Sequence, residues 1–439
     1  MFAGGADPIA KMLEKASSTA LSAMEQGWGG PPFDPFTLAE LLHIQVVPNS
    51  DVLEARTVPI KGGRVQIEYN PNRPRARMRY SLAHEIAHTF FRDCADHVRN
   101  RARRQDYEPD EWELEMLCNI GAAELLMPTG SLNEAKNKPV SIPDILELRR
   151  KFEVSTESVL LRLIKITEEP YVMFVSSRGQ PANPRYHVDY SLASRTSSRQ
   201  LPSQTLLPKD SVVNTCTAMG FVAKAVEDWP TIGPVELECI GVSPYPNSIY
   251  PRVIGLLRPC GAKPQHTGDI QFVTGDATKP RGNGPLILAH IVNDATPNWG
   301  AGFGKVVQQK WPSVQRRFRD AWFHSSRKHL GDVFFSDADP QLTICQMVCQ
   351  QGYGSSDRPR IRYAALRDCL TALRNQALGQ KASIHMPRIG TGEAGGSWAL
   401  ICALIDEVLC AAGLSVTIYE LPKKRQSRPI QAGLFDHAA

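Results

Sequence analysis

An α+β unit followed by an α/β unit of β-α-β type is the fold that the chain predicts, and three observations carry that reading. A helix built around His84-Glu85-Ile86-Ala87-His88 is followed by a second long helix ending at Met127-Pro128. Short β-like runs fill the region from Pro170 to about Pro259. Beyond it, strands of buried type lead into glycine-rich helix starts at 298–304 and 388–396.

Composition bounds what such a chain can do. Its 439 residues, 42% of them hydrophobic, leave room for two to four domains with real cores. A net charge of +5 permits contact with nucleic acid or nucleotides without arguing for it. No apolar run approaches the roughly 20 residues that cross a bilayer. The start, Met1-Phe2-Ala3-Gly4-Gly5-Ala6-Asp7, lacks the basic and apolar segments of a secretory signal, so a cytoplasmic location is expected. The ten cysteines form no C-x-x-C pair; reduced, mostly buried thiols are expected, Cys345 and Cys349 included.

The first helix carries the clearest chemistry. Residues four apart share a helical face, so His84 and His88 reach one metal ion while Glu85 points to the neighbouring water. Residues 79–83 and 89–91 place apolar side chains at helical spacing around the motif. A catalytic zinc takes a third protein ligand, and Glu111, Glu113, Glu115 and Glu124 all lie on the next helix. Glu115 is the choice, with Glu113 as competitor. Glu115 stands four residues before Asn119, so one face presents Glu115 to the metal and Asn119 to a ligand histidine. Without the upstream motif the same helix fits a solvated acidic face beside Leu114, Leu117, Ala122 and Leu125 equally well.

Pro35-Phe36-Thr37-Leu38-Ala39, the H-E-x-x-H segment, and Glu115 through Ala122-Ala123-Glu124-Leu125-Leu126-Met127-Pro128 resemble the ImmA/IrrE family of bacterial metallopeptidases. The resemblance covers about residues 25 to 165 and continues more weakly to about 260. It implies a zincin-like fold, zinc held by His84, His88 and Glu115, Glu85 as general base, and a protein substrate among helix-turn-helix repressors. Asn119 stands where the family carries Asn or Asp.

Between the two metal-site helices, Arg99-Asn100-Arg101-Ala102-Arg103-Arg104 reads as a solvated loop near the cleft, with docking of substrate or nucleic acid as the alternative. Ser141-Ile142-Pro143-Asp144 opens a helix through Lys151, and a capping signal precedes another from Val159 to Ile166. The pair is compatible with helix-turn-helix, but Leu160, Leu161, Leu163 and Ile164 favour packing on the peptidase core. Strands are expected at Tyr171 to Val175 and Val235 to Ile240. Residues 176–211, rich in Ser, Arg and Pro, read as a long exposed loop.

After a linker near 259–264, Ile270-Gln271-Phe272-Val273 reads as a strand leading to Gly275-Asp276. Leu286 to Val292 and Ser383-Ile384-His385-Met386 follow as further strands. The loops Asn298-Trp299-Gly300-Ala301-Gly302-Phe303-Gly304 and Arg388-Ile389-Gly390-Thr391-Gly392-Glu393-Ala394-Gly395-Gly396 each run from strand to helix. Their unpaired amides suit a diphosphate clamped between them; in the plainer reading the glycines only turn the chain.

Gly275-Asp276-Ala277-Thr278, Trp299-Gly300-Ala301-Gly302 and Pro387-Arg388-Ile389-Gly390 with Trp398 resemble a macro domain over about residues 266 to 422, of the subgroup that ends a poly(ADP-ribose)-activated chromatin remodeller. The resemblance implies an α/β/α three-layer fold that binds ADP-ribose. Asp276 would take the adenine amino group and Asn293 the distal ribose region. Gly300, Gly302, Gly304, Gly390, Thr391, Gly392 and Gly395 would take the diphosphate. Relatives that remove ADP-ribose from glutamate carry an acid where this chain has Ala394, with Glu393 one place off, so binding is favoured over hydrolysis.

The organisation expected is an extension at 1–24, a zinc metallopeptidase domain at 25–168, a β-rich connecting region at 169–260, a macro domain at 266–422 and a tail at 423–439. In that tail Ile430, Leu434 and Phe435 either dock or stay loose. The function expected is regulatory zinc endopeptidase, cutting a repressor or other regulatory protein under control of ADP-ribose, a related NAD-derived nucleotide or an ADP-ribosylated partner. A non-proteolytic ADP-ribose-binding scaffold and an ADP-ribosyl hydrolase are the alternatives, and no membrane partner is expected.

Overall fold

Three sheets organise the chain in a computed structural model that describes residues 8–91, 99–100, 109–136, 139–178, 185–197, 199, 201–230, 232–245, 248–261, 268–324, 329–354, 356 and 358–421. No helix among these residues is long and apolar enough to cross a membrane. The basic run at 101–104, the linker at 262–267 and the C-terminal tail lie outside the described residues.

The first unit is α+β. Its helices are α1 (Pro8–Glu25), α2 (Pro35–Leu41), α3 (Arg75–His88), α4 (Pro109–Leu126), α5 (Asn133–Lys136), α6 (Ile142–Phe152) and α7 (Thr156–Ile166). Its small sheet has the order β1 (Gln45–Pro48), β3 (Arg64–Tyr69), β2 (Ala55–Ile60), β4 (Arg99–Asn100). The starts follow capping chemistry. Asp34 accepts from the Thr37 amide with Pro35 in the first turn of α2, and Ser141 and Asp144 form a reciprocal capping box on α6. α3 and α4 approach closely at Gly121, where an added Cβ would stand 2.7 Å from Met12 Sδ and 3.0 Å from Ala87 Cβ. That approach brings the histidine face of α3 against α4. Val159, Leu160, Leu163 and Ile164 of α7 are fully buried, so the helix pair α6–α7 serves the core.

The second unit is a five-stranded antiparallel sheet, order β6 (Tyr186–Ala193), β5 (Val172–Arg178), β9 (Arg252–Pro259), β8 (Gly233–Val242), β7 (Val222–Trp229). It corrects the expectation of a long exposed loop at 176–211. β5 extends to Arg178 and β6 pairs back on it, with Tyr186, Val188 and Tyr190 buried on alternate positions. The period-2 signal was hidden because the outward residues His187, Asp189 and Ser191 match the polar composition on either side.

The third unit is a three-layer α/β/α fold. Its sheet has the order β10 (Ile270–Thr274), β15 (Val416–Glu420), β14 (Ser383–Pro387), β11 (Leu286–Asn293), β13 (Leu342–Gln350), β12 (Val333–Asp339), parallel except for β12. α8 (Gly302–Lys310) and α9 (Pro312–His324) share one apolar cluster with one face, and α10 (Tyr363–Gln380) and α11 (Trp398–Val408) share another with the opposite face. Cys345 and Cys349 are buried free thiols on β13.

α1 lies within the expected N-terminal extension and packs against two cores. Met12 packs with Ala87, Phe91 and Cys118, Ala16, Ala20 and Ala23 belong to the core of the first unit, and Leu21 belongs to the core of the third. Its last residue, Glu25, accepts from the Tyr363 amide at 2.5 Å.

Candidate metal centre and ligand cavity

α3 and α4 bring three donors to one point. His84 Nε2 lies 3.0 Å from Glu115 Oε2, His88 Nε2 lies 3.2 Å from Glu115 Oε1, and the two Nε2 atoms are 3.1 Å apart. Ligands at about 2.0–2.1 Å around a tetrahedral zinc stand roughly 3.3 Å from one another, so these spacings and this nitrogen and carboxylate set suit such an ion. Glu85 also comes within 4.8 Å of both imidazoles, but its position differs in kind. Its Oε2 accepts from Thr57 Oγ1 at 2.8 Å, and both residues are buried. Glu115 is the carboxylate that meets both histidines, with Glu85 set beside it.

The electrostatics agree. Burial would raise the Glu115 carboxyl, yet hydrogen bonds from His84 and His88 hold it far below the usual range. Burial would lower His88, but Cys118, Glu115 and Glu85 outweigh it and hold the ring well above its ordinary value. A buried carboxylate facing two imidazoles is an arrangement that suits a cation.

The other acidic residues of α4 divide. The side chains of Glu111 and Glu113 are outside the described residues. Glu124 turns away from the metal centre to meet Arg162 at 3.0 Å. Asn119 accepts from the Tyr80 hydroxyl at 2.7 Å, one turn before His84 on α3. Sequence reasoning missed Thr57 and Tyr80, and no spacing signal singles them out.

A second site lies in the third unit, a cavity of about 600 Å³ at the ends of β11 and β14. Both glycine loops line it, as expected of two parallel neighbours in one sheet. Asn293, Gly300, Gly302, Gly304, Gly390 and Gly392 are on its wall, with Glu393 and Ala394. Asp276, Thr391 and Gly395 are not among its lining residues. Asn293 commits its carbonyl oxygen to the amides of Ala295 and Thr296 at 3.0 and 2.8 Å, so its NH₂ is what it offers a ligand. Asp276 accepts from the Thr278 amide at 2.9 Å. Slight burial raises its carboxyl, but Thr278 and the nearby Lys310 and Lys279 bring it below the usual value. Arg388 stands at the rim with its guanidinium 5.0 Å from the Trp398 ring centroid and 3.4 Å from Glu420.

The two sites are joined by packing. α11 starts just beyond the second glycine loop, and its end meets the first unit: Glu407 is 3.0 Å from Thr129 Oγ1 and 3.4 Å from Arg162, and Asp406 pairs with Lys136. The Ser397 amide donates to the Tyr363 hydroxyl at 2.7 Å, linking the loop to the residue that holds Glu25 of α1.

Residues 44–163 match the family model of the IrrE N-terminal-like domain. The radiation response metalloprotease IrrE of Deinococcus deserti is 35% identical over 103 residues, 23% of this chain and 36% of that protein. The chromodomain-helicase-DNA-binding protein 1-like of Mus musculus is 29% identical over 170 residues, 36% of this chain and 19% of that protein. A solved macrodomain protein from Streptomyces coelicolor is 32% identical, over 35% of this chain and 99% of that one, with a TM-score of 0.31. The chain thus spans about a third or less of the length of these two curated relatives.

Proposed function

Because the chain joins an IrrE-like metallopeptidase domain to a macro domain, we propose that it is a regulatory zinc endopeptidase controlled by ADP-ribose, a related nucleotide or an ADP-ribosylated partner at its C-terminal cavity. The observation that carries this is the meeting of His84, His88 and Glu115 within 3.0–3.2 Å beside a carboxylate, Glu85, fixed by Thr57. Zinc held by those three residues would supply Lewis-acid activation of a water and of the scissile carbonyl. Glu85 takes the water proton and returns it to the leaving amine. The Thr57 hydroxyl donates to one oxygen of Glu85, which fixes that carboxylate in place.

Control through the cavity is supported by α11, which runs from the ligand loop to Arg162 and Glu124, and Glu124 shares α4 with Glu115. Control requires that the ligand bind two states of the protein with different affinity. The C-terminal role we favour is binding, on the resemblance alone: relatives that remove ADP-ribose from glutamate carry an acid where this chain has the buried Ala394, and with Glu393 beside it on the cavity wall hydrolysis stays the alternative. The substrate class, a helix-turn-helix repressor, is assigned on family resemblance.

The test compares wild type with Glu85→Gln in cells, with and without an ADP-ribose-generating stimulus, by mapping new protein N-termini. Termini present only with wild type, at equal zinc content of the two proteins, support the reading. Identical termini in both would remove the peptidase.

A further inference from the structure

The second unit treats its two edge strands differently. Along β6 the chain covers its own outer edge. The Val188 amide donates to the Thr205 carbonyl at 2.9 Å, the Gln204 amide to the Val188 carbonyl at 2.7 Å, and the Leu207 amide to the Tyr186 carbonyl at 3.0 Å. β7, at the other edge, pairs only with β8 among the described residues. The Gly241 amide donates to the Phe221 carbonyl at 2.9 Å, and along an antiparallel ladder successive peptide groups point alternately toward and away from the neighbouring strand. The amides and carbonyls of Val222, Lys224, Val226 and Asp228 therefore point away from β8. No hydrogen bond reaches them from the described residues outside that ladder.

The side chains of the same four residues are exposed. Val226 is 72% exposed, and Met219 and Phe221 just before the strand are 66% and 48%. An edge of unpaired backbone is a template for another strand, which proteins commonly blunt with proline, a bulge or free lysines. β7 has no proline, and its register with β8 is unbroken over eight pairs. Its one lysine, Lys224, is already engaged by Glu238 at 2.7 Å.

The order of residues along the edge says which strand fits it. Lys224 and Asp228 stand two places to either side of Val226 on the exposed face. When two β7 strands pair antiparallel about a two-fold axis at Val226, Val226 meets itself and each Lys224 meets the partner's Asp228. All of these positions carry outward peptide groups, so they become the hydrogen-bonded pairs of the new ladder. Moving the axis to Lys224 or to Asp228 would set like charges opposite each other, which destabilises a pair.

We infer that β7 is a homodimer interface, in which two copies of this chain pair their β7 strands antiparallel about a two-fold axis at Val226 and join two five-stranded sheets into one. The surface uses none of the residues of the metal centre or of the C-terminal cavity.

Sedimentation velocity of the full chain over a concentration series tests it, comparing wild type with Val226→Lys and Asp228→Lys and recording a melting curve for each. Expected is a monomer–dimer equilibrium in wild type whose dissociation constant rises about tenfold or more in both variants, since each sets like charges together across the axis. A cysteine pair reads the register independently, should a lysine variant fail to fold. The Cα atoms of a hydrogen-bonded antiparallel pair stand about 5.5 Å apart, within disulfide reach, so Val226→Cys should link to its own symmetry mate under oxidised glutathione. Val222→Cys, roughly 26 Å from its mate along the ladder, should link no more than wild type, whose exposed Cys260 sets the background. A wild type that stays monomeric at every concentration overturns the inference, as does a dimer that both lysine variants leave intact. Equal linking through positions 222 and 226 overturns the axis at Val226.

Discussion

Glu407, in the last turn of α11, lies 3.4 Å from the guanidinium of Arg162 on α7, which also holds Glu124 at 3.0 Å. One cation thus serves two carboxylates from opposite ends of the chain. Arg162→Met leaves Glu124 buried without its partner and should cost about 3 kcal/mol of stability, whereas Glu407→Gln relieves a like charge and should cost under about 1 kcal/mol. Denaturant unfolding measures both, and two similar costs would contradict this division of roles.

The Glu124 carboxyl is pushed up to about 7, mainly by burial, against Arg162 and with Glu407. Its ordinary value is 4.5, so between about 4.5 and 7 the folded protein keeps a proton that the unfolded chain has lost. This group's contribution to stability is therefore full below pH 4.5, declines as pH rises through the window, and is gone above about 7. Melting temperatures at pH 5, 6, 7 and 8 should fall more steeply for wild type than for Glu124→Gln; parallel curves would assign the decline to other groups.

His84→Ala and Glu115→Ala should lose bound zinc, while Glu85→Gln should keep it and lose a hundredfold or more of proteolysis, about the share of a general base. Metal analysis by mass spectrometry separates the two classes before any substrate is known. Zinc retained by Glu115→Ala would return the third ligand to the unassigned acids of α4. Chelation should lower the melting temperature of wild type but not of His84→Ala, because only the folded site binds the ion.

Gly390 sits at φ +74°, and a Cβ there would stand 2.7 Å from Ile401 Cδ1. Gly390→Ala adds both a left-handed backbone penalty of roughly 1–2 kcal/mol and a clash with α11. It should weaken ADP-ribose binding at least tenfold in a calorimetric titration while zinc content stays the same.

The candidate metal site is legible in the sequence because its chemistry imposes a spacing: two histidines one helical turn apart and an acid on the next helix leave few arrangements. The glycine loops were legible for the same reason, since strand, glycines and helix follow each other directly in the chain. What was illegible depends on partners far away in sequence. Thr57 is an ordinary strand residue until α3 lies across it. Glu124 shares its helix and its charge with Glu115, and only the packing of α11 near α4 and α7 shows its separate partner, Arg162. β6 was lost because its buried positions alternate with residues resembling a loop.

α1 has a consequence for how the protein is made. It leaves the ribosome well before residues 287–418, the strands and helices that complete the core around Leu21. Until they arrive, Leu21 lacks the residues that bury it, a contact of high sequence separation that slows folding. An N-terminal fragment produced alone would carry Leu21 without the core that buries it. α1 thus ties the two units into one folding partnership as well as a pairing of sites.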